Sequence, residues 1–432
     1  MLFRSLNCTL KLNWIGWAEY ANKYPLLFSS GEKFDLAYSA TWLNFASLAQ
    51  KGAFMSLDDL WPTYAPKNFE RQSDTAKQQA TVNGHYYCIP TLLATYSAYG
   101  PHYRTDILEG TDWDGKMENL EDYEVYLQYV KENTTMEPLN VYQSGSEVDD
   151  TYMYSKGLYA LKGSTNDFLW IDPQEENPQI FTYYDYEGTP EFLEMMNRWN
   201  EAEYFPKSAL SDTDSTKVQN GKAASGFHNI DAYAGRYIEK PEWGFKFSNF
   251  VKDVSYLSFT QDALVISNTS ENPERAVALY ELITSDEEVY RAFYYGIEGV
   301  SYELHGDQID TAIDPDNYAA NALWAARTNE FNLETYGSPE DLQTWKDSFD
   351  DYITEGVGSQ KYRSFTIDTS SIETEYAACQ NVHQQYWWPL ELGYTDAVTG
   401  LQEYKEKMEA AGIAKVMEVL QGQLDEYVAN LK

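Results

Sequence analysis

The chain has 432 residues, 43% of them hydrophobic, and carries 31 basic against 68 acidic side chains, a formal charge of −37. This length exceeds what one ordinary hydrophobic core supports and predicts two domains. The sequence has no run of about 18 apolar residues, which excludes a hydrophobic membrane span. An acidic surface repels nucleic acid and anionic lipid, so neither is expected as a partner.

Strand and helix patterns alternate in the first part of the chain. Residues 6–14 alternate between apolar and polar side chains and predict a strand, and residues 18–28 have helical spacing. The short apolar run at 34–38 predicts a buried parallel strand, and a helix is expected from Trp42 to a C-terminal cap at Gly52. This alternation predicts an α/β fold with mainly parallel sheets.

The rest of the chain is also built from short elements. Asn83-Gly84 predicts a two-residue hairpin turn, and residues 262–268 read as a buried strand. Periodicity and capping signals predict helices at 120–133, 190–204, 272–283, 284–296 and 401–431. Gly412 is expected to divide the last of these into two helices, which we interpret as structural.

The side chains that support catalysis are scarce. None of the five histidines pairs with another at metal-ligand spacing, and the three cysteines lie far apart, so no metal and no cofactor is expected. The sequence contains no serine nucleophile elbow and no phosphate-binding glycine loop. A pair of glycosidase carboxylates stays open, because 68 acidic residues offer many combinations.

Aromatic side chains are abundant, with 37 Tyr, 12 Trp and 19 Phe. Flat rings with a polar edge suit stacking on sugars, although most of these rings must serve the core or the surface. Trp42 and Asn44 follow a buried strand, where ligands of open α/β sheets bind, but Trp42 could equally close the core. Trp387 and Trp388 are consecutive, so one of them is expected to lie outside the core.

Several segments, taken in order, resemble the extracellular solute-binding proteins of carbohydrate ABC importers. The sequences FDLAY at 34–38, WLN at 42–44 and KGAFMSLDDL at 51–60 are similar to the N-terminal lobe of that family. The hairpin at 82–91 resembles the segment before the crossing into the second lobe. A lipoprotein branch of Gram-positive bacteria is similar in further segments: NPERA at 272–276, YGIEG at 295–299, LGYTD at 392–396 and QLDEY at 423–427.

The resemblance implies an α/β, two-lobed periplasmic-binding-protein-like (type II) clamshell, each lobe a mainly parallel sheet flanked by helices. The lobes and hinges are expected at residues 1–93 with 262–312 (N-terminal lobe), 97–257 with 313–432 (C-terminal lobe), and 94–96 with 258–261 (hinge). Hinge closure on the ligand would then be a shift between two populations. The implied protein is a monomer, and its partners are an oligosaccharide and the permease subunits of an ABC importer.

The resemblance also supplies the expected ligand contacts and location. The candidate binding residues are Trp42, Asn44, Tyr96, Tyr99, Tyr154, His228, Asn229, Tyr295, Trp324, Asn329, Trp387 and Trp388. The implied location is the outer face of the cell membrane as a lipoprotein. Against the family pattern, the chain is expected to lack the signal peptide, the lipid-modified cysteine, the first strand and the first helix. The expected function is sugar capture without chemistry; the alternative is a secreted carbohydrate-active enzyme.

Overall fold

The computed structural model describes most of the chain. The described residues are 6–92, 96–111, 113, 117–142, 147–161, 168–250, 255–256, 258–311, 313, 324–345, 347, 361–362, 365 and 367–431. Within them, the side chains of 17–19, 21–22, 96–97, 255–256 and 324 are not described.

The backbone contacts divide the chain into two compact units, each made of two separate segments. The first unit comprises Met1–Thr95 and Leu257–Gly337, and the second comprises Tyr96–Tyr256 and Ser338–Lys432. The structure therefore groups residues up to 337 with the first unit, whereas the sequence analysis assigned everything after 312 to the second lobe. This grouping includes an isolated β-bridge between the backbones of Thr328 and Leu92, which joins the later segment to the first unit.

The helices and strands alternate along the chain. The helices are α1 (Trp17–Ser29), α2 (Phe45–Gln50), α3 (Leu60–Tyr64), α4 (Pro66–Arg71), α5 (Asp74–Gln79), α6 (Leu120–Asn133), α7 (Val148–Ser155), α8 (Thr189–Glu201), α9 (Ile230–Glu239), α10 (Pro273–Ser285), α11 (Glu287–Tyr294), α12 (Glu373–Val382), α13 (Trp388–Glu391), α14 (Ala397–Ala411) and α15 (Ile413–Asn430). The strands are β1 (Leu36–Ser39), β2 (Thr81–Val82), β3 (His85–Tyr86), β4 (Ile89–Pro90), β5 (Tyr96–Ser97), β6 (Tyr99–Tyr103), β7 (Glu137–Leu139), β8 (Tyr159–Ala160), β9 (Leu169–Ile171), β10 (Phe181–Thr182), β11 (Ala223–Asn229), β12 (Lys246–Phe247), β13 (Ser255–Tyr256), β14 (Ala263–Ile266), β15 (Glu303–His305), β16 (Gln308–Asp310) and β17 (Glu334–Thr335).

The central sheet of the first unit has the order β1-β14-β4. The α/β class is confirmed, but the expected parallel pairing is wrong here, because β14 is antiparallel to both neighbours. Strand β14 runs in the opposite direction because the chain re-enters the first unit at the sheet edge where β1 and β4 end. Residues 6–14 form no strand either, and Asn7 has a positive φ of 48°.

The central sheet of the second unit has the order β12-β6-β11-β7. Strand β11 runs antiparallel to β6 and parallel to β7, so the sheet is mixed. One face carries the largest core cluster, which includes Tyr123, Leu139 and Phe227. The tail helices α14 and α15 belong to the same cluster through Tyr404 and Leu420, as their apolar spacing predicted.

Local signals located several elements well. Asn83 and Gly84 have φ values of 51° and 83°, which gives the predicted hairpin turn between β2 and β3. Gly412 has a φ of 95° and separates α14 from α15, where its left-handed conformation ends the first helix. Among the described residues, none of the helices combines the length and the apolar character needed to cross a bilayer.

Candidate functional site

In the first unit, the carboxyl ends of β1 and β4 lie at the same edge of the sheet, because both strands are antiparallel to β14. We call this edge the first crossing edge, since the chain leaves the unit just after β4 and re-enters just before β14. The Asp262 carboxylate lies at its centre. It accepts a hydrogen bond of 2.7 Å from the Tyr38 hydroxyl and pairs with the Arg327 guanidinium. The Asp262 side chain is only 8% exposed, so this charge depends on its partners.

Trp42 and Asn44 lie on the turn that follows β1, as the sequence predicted. A short 3₁₀ turn, Thr41–Leu43, holds the half-buried Trp42 ring, whose centroid lies 6.1 Å from that of Tyr38. The turn is tied to the segment before β14, in the same unit, by Thr41, whose amide and hydroxyl both bond Thr260. Asn44 is exposed and adopts the left-handed conformation, with φ of 59°, which asparagine tolerates well.

The segment 324–329 lies against the same edge. The 3₁₀ turn Trp324–Ala326 contacts β1 and β14 through its backbone, while the Trp324 side chain lies outside the described residues. Asn329 is exposed, and its amide donates to the Leu92 carbonyl at 3.4 Å. The first unit thus brings together four of the predicted binding positions on one edge: Trp42, Asn44, Trp324 and Asn329.

The second unit has a comparable polar edge where the parallel strands β7 and β11 end. We call it the second crossing edge, because the carbonyl of Ala98, just after the chain enters this unit, accepts from the Ile230 amide at 3.0 Å. His228 lies there at half burial. Asn229 caps α9 by accepting from the Ala232 amide at 2.9 Å.

Beneath these residues, one face of the sheet carries a buried row of polar groups. Strand register places His102 beside Gly226, and a side chain at Gly226 would contact Asn140 on the far side. Asn140 is 6% exposed and its side-chain oxygen Oδ1 is unbonded within the described residues. Arg236 of α9 covers the row and donates to His102 Nδ1 at 2.8 Å.

The two histidines of this row are held neutral. Burial, followed by the charge of Arg236, lowers the pKa of His228 to about 4, and the same two causes hold the pKa of His102 well below its usual range. Burial also lowers the pKa of Arg236 to about 10, which the Glu147 carboxylate opposes. The second crossing edge therefore offers neutral hydrogen-bonding groups, and the positive charge of Arg236 is buried beneath them.

Three predicted binding residues belong instead to hydrophobic cores. Tyr154, Tyr295 and Trp387 are 4%, 1% and 0% exposed, so their rings present almost no surface to a ligand. Tyr295 bonds Asn332, and Trp387 donates to Asp149 at 2.8 Å. We correct the prediction for these three residues: the packing of aromatic rings accounts for them.

The remaining candidates have intermediate positions. Trp388 is half-buried and packs against the main core of the second unit, next to the fully buried Trp387. A π-helical turn, His383–Trp387, rotates the pair so that Trp387 points inward. Tyr99 is half-buried beside Asn229, and the Tyr96 side chain lies outside the described residues.

Sequence reasoning missed the pairing of the charged groups at both edges. Asp262 and Arg327 are 65 residues apart, and His102 and Arg236 are 134 apart, so no local pattern connects them. The available signal was weak: Asp262 precedes a buried strand, and Arg236 falls on the inner face of an amphipathic helix. Within the described ranges, no three His, Cys, Asp or Glu side chains are arranged to hold a metal ion.

A two-unit α/β chain whose polar and aromatic side chains gather where the chain crosses between units has the architecture of a solute-binding receptor. Residues 5–300 match the family described as bacterial extracellular solute-binding protein, and the chain belongs to this family. Residues 361–429 match a second model, described only as a domain of unknown function. The extracellular location is that of the family.

The relatives are sugar-transport proteins by name. The chain is 24% identical to a carbohydrate ABC transporter substrate-binding protein of Streptococcus pneumoniae, over 98% of this chain and 85% of that protein. The N-glycan transport solute binding protein (NgtS) of the same organism, in complex with Man1GlcNAc, superposes with a TM-score of 0.76 at 20% identity, covering 99% and 94% of the two chains. FusA of S. pneumoniae, in complex with kestose, gives a TM-score of 0.67 at 15% identity over 99% and 95%.

Proposed function

We propose that this protein captures a neutral oligosaccharide and delivers it to the permease of an ABC importer, without catalysis. The observation that carries the proposal is the clustering of Trp42 and Asn44 with the 324–329 segment at the first crossing edge. A ring beside amide groups supplies a surface on which the apolar face of a sugar can stack and hydrogen-bond partners for its hydroxyls. The relatives that bind Man1GlcNAc and kestose support a glycan as the ligand class.

The proposal extends to partners and location in the cell. A receptor of this kind acts as a monomer that docks on the permease, and a lipid anchor would hold it at the membrane. The formal charge of −37 favours a neutral glycan over a uronate, because long-range repulsion slows the approach of an anion. The alternative, a secreted carbohydrate-active enzyme, predicts release of product from a labelled glycan.

The direct test is calorimetry and thermal shift of the full chain with a panel of glycans. The panel holds fructo-oligosaccharides, manno-oligosaccharides with a terminal N-acetylglucosamine, and uronate oligosaccharides, with amino acids and short peptides as other solute classes. A true ligand at a hundredfold excess over its Kd should stabilise the chain by about 2.7 kcal/mol. Stabilisation by a peptide or a uronate, with no response to any neutral glycan, would refute the sugar assignment.

Trp42→Ala is expected to weaken glycan binding by about tenfold to a hundredfold, the loss typical of an aromatic anchor at a binding surface. Trp42→Phe keeps a ring and should lose less. Trp14→Ala is the matched control, since Trp14 is a 61% exposed tryptophan of the same unit. Calorimetry on the three variants decides the matter: equal affinities for wild type and Trp42→Ala would remove Trp42 from the site.

A further inference from the structure

The hydrogen bonds of His228 fix which of its ring nitrogens carries the proton. The Asn229 backbone amide donates to His228 Nδ1 at 2.8 Å, so Nδ1 is an acceptor. In a neutral imidazole the proton must then lie on Nε2. The ring is half-buried at the end of β11, at the second crossing edge, so the group available to a ligand is an Nε2–H donor.

A second imidazole lies behind the first and is fixed in the same way. The rings of His102 and His228 have centroids 6.3 Å apart. Arg236 Nη1 lies 2.8 Å from His102 Nδ1, and a guanidinium can only donate, so His102 also accepts at Nδ1. His102 is fully buried and Arg236 is 6% exposed, which places a positive charge in direct contact with one ring and near the other.

The charged and titratable groups around this pair come from every element packed on it. Strand β6 contributes His102, helix α9 contributes Arg236 and Tyr233, and the segment after β7 contributes Tyr142 and Glu147. Tyr233 donates at 2.6 Å to the carboxylate of Asp341, a residue outside that row. The nearest charge to the imidazoles is therefore the Arg236 cation, and protonation of either ring would set two positive charges against each other.

We propose that Arg236 is a positioning residue that acts together with burial to keep His102 and His228 neutral, and that His228 contacts the ligand as an Nε2–H donor to a hydroxyl or carbonyl oxygen. Only the second part of this proposal, the contact of His228 with the ligand, rests on the proposed function. It favours a neutral acceptor at this position over a carboxylate, because a neutral donor forms no ion pair with a carboxylate. It also makes ligand affinity independent of pH across the range where an ordinary histidine titrates.

The first experiment needs no ligand. Long-range ¹H–¹⁵N NMR spectra of the ¹⁵N-histidine-labelled full chain report which imidazole nitrogen carries a proton, and His228→Gln assigns the resonances among five histidines. We expect His228 with the proton on Nε2 and no titration between pH 5.5 and 8. A proton on Nδ1, or titration of His228 near pH 6.5, overturns the proposal.

The second experiment tests the role of Arg236. Arg236→Met should move the titration of His228 upward from its wild-type value, whereas Arg236→Lys retains the charge and should leave that titration unchanged. If Arg236→Met does not fold, Arg236→Gln removes the same charge and takes its place in the NMR titration. A pH-dependent wild-type affinity that tracks His228 would contradict the proposal.

The third experiment concerns the donor itself. His228→Gln keeps an N–H at similar reach and is expected to lose about twofold to threefold in affinity, while His228→Ala should lose about tenfold, the value of one hydrogen bond. Equal losses in both variants would show that the donor is not used. Absence of binding by every glycan would refute the proposed function while leaving the NMR result on Arg236 standing.

Discussion

Arg327→Met is expected to destabilise the first unit by about 3–5 kcal/mol, because it leaves a buried carboxylate without its counter-charge. Asp262 is 8% exposed and has two side-chain partners within the described residues, Arg327 and the Tyr38 hydroxyl. One neutral hydroxyl cannot replace the guanidinium. Urea unfolding of the full chain, followed by fluorescence, should show the transition of this unit moving to lower urea.

The control variant and the double variant that should restore stability both lie in the same unit. Arg275→Met removes an exposed arginine whose one side-chain hydrogen bond within the described residues goes to the Asn7 carbonyl, and it should change stability by less than about 0.5 kcal/mol. The double variant Asp262→Asn with Arg327→Met removes both charges and is expected to recover much of the loss. A double variant as unstable as Arg327→Met alone would show that packing, and not the charge, is responsible.

Asp149→Asn is expected to flatten the pH dependence of stability. Asp149 lies in the core of the second unit, where it accepts from Trp387 Nε1 and the Asp150 amide, both at 2.8 Å. Burial, followed by the charge of Asp150, raises its pKa from 3.8 to about 7. Because the folded-state pKa is the higher one, the unfolded chain releases this proton first, and stability falls as pH rises from about 4 to about 7.

The size of this effect follows from the shift. Between pH 5.5 and 8 the wild type should lose about 2 kcal/mol through this group, and Asp149→Asn should not. The range begins above the isoelectric point of 4.3, so precipitation does not interfere. Glu418→Gln, an exposed position on α15, is the control for removal of one negative charge. A constant stability difference between wild type and Asp149→Asn at every pH would contradict the assignment.

Local sequence signals predicted the helices better than the sheets. Helix α6 was predicted with its observed bounds, because Leu120, Tyr123, Leu127 and Val130 repeat on one face and Asn119 caps the start. Strand pairing was not predictable in this way. The partners of β14 are β1 and β4. The sequence of a short strand does not indicate which distant strand it pairs with or in which direction.

The candidate site shows the same contrast between features set by local sequence and features set by distant pairing. The position of Trp42 and Asn44 at the end of β1 was predictable, because a turn after a buried strand is a local pattern. Tyr154 and Trp387 were wrongly included because an aromatic ring in the core and one at the surface look alike in a sequence. Arg236 was missed because its role depends on His102, which only strand register brings within reach.

The order in which β14 enters its sheet has a consequence during synthesis. Strand β14 lies between β1 and β4, yet Ala263 pairs with Ser39, a residue made 224 positions earlier. At roughly 5–20 residues per second, β1 waits about 10–50 s for its partner. We expect a chain that ends at residue 256, and therefore lacks β14, to leave residues 6–92 open to proteolysis. Resistance of these residues would show that the first unit folds before β14 is made. Such a delay would keep the first unit unfolded while the second is made, which suits a member of an extracellular family.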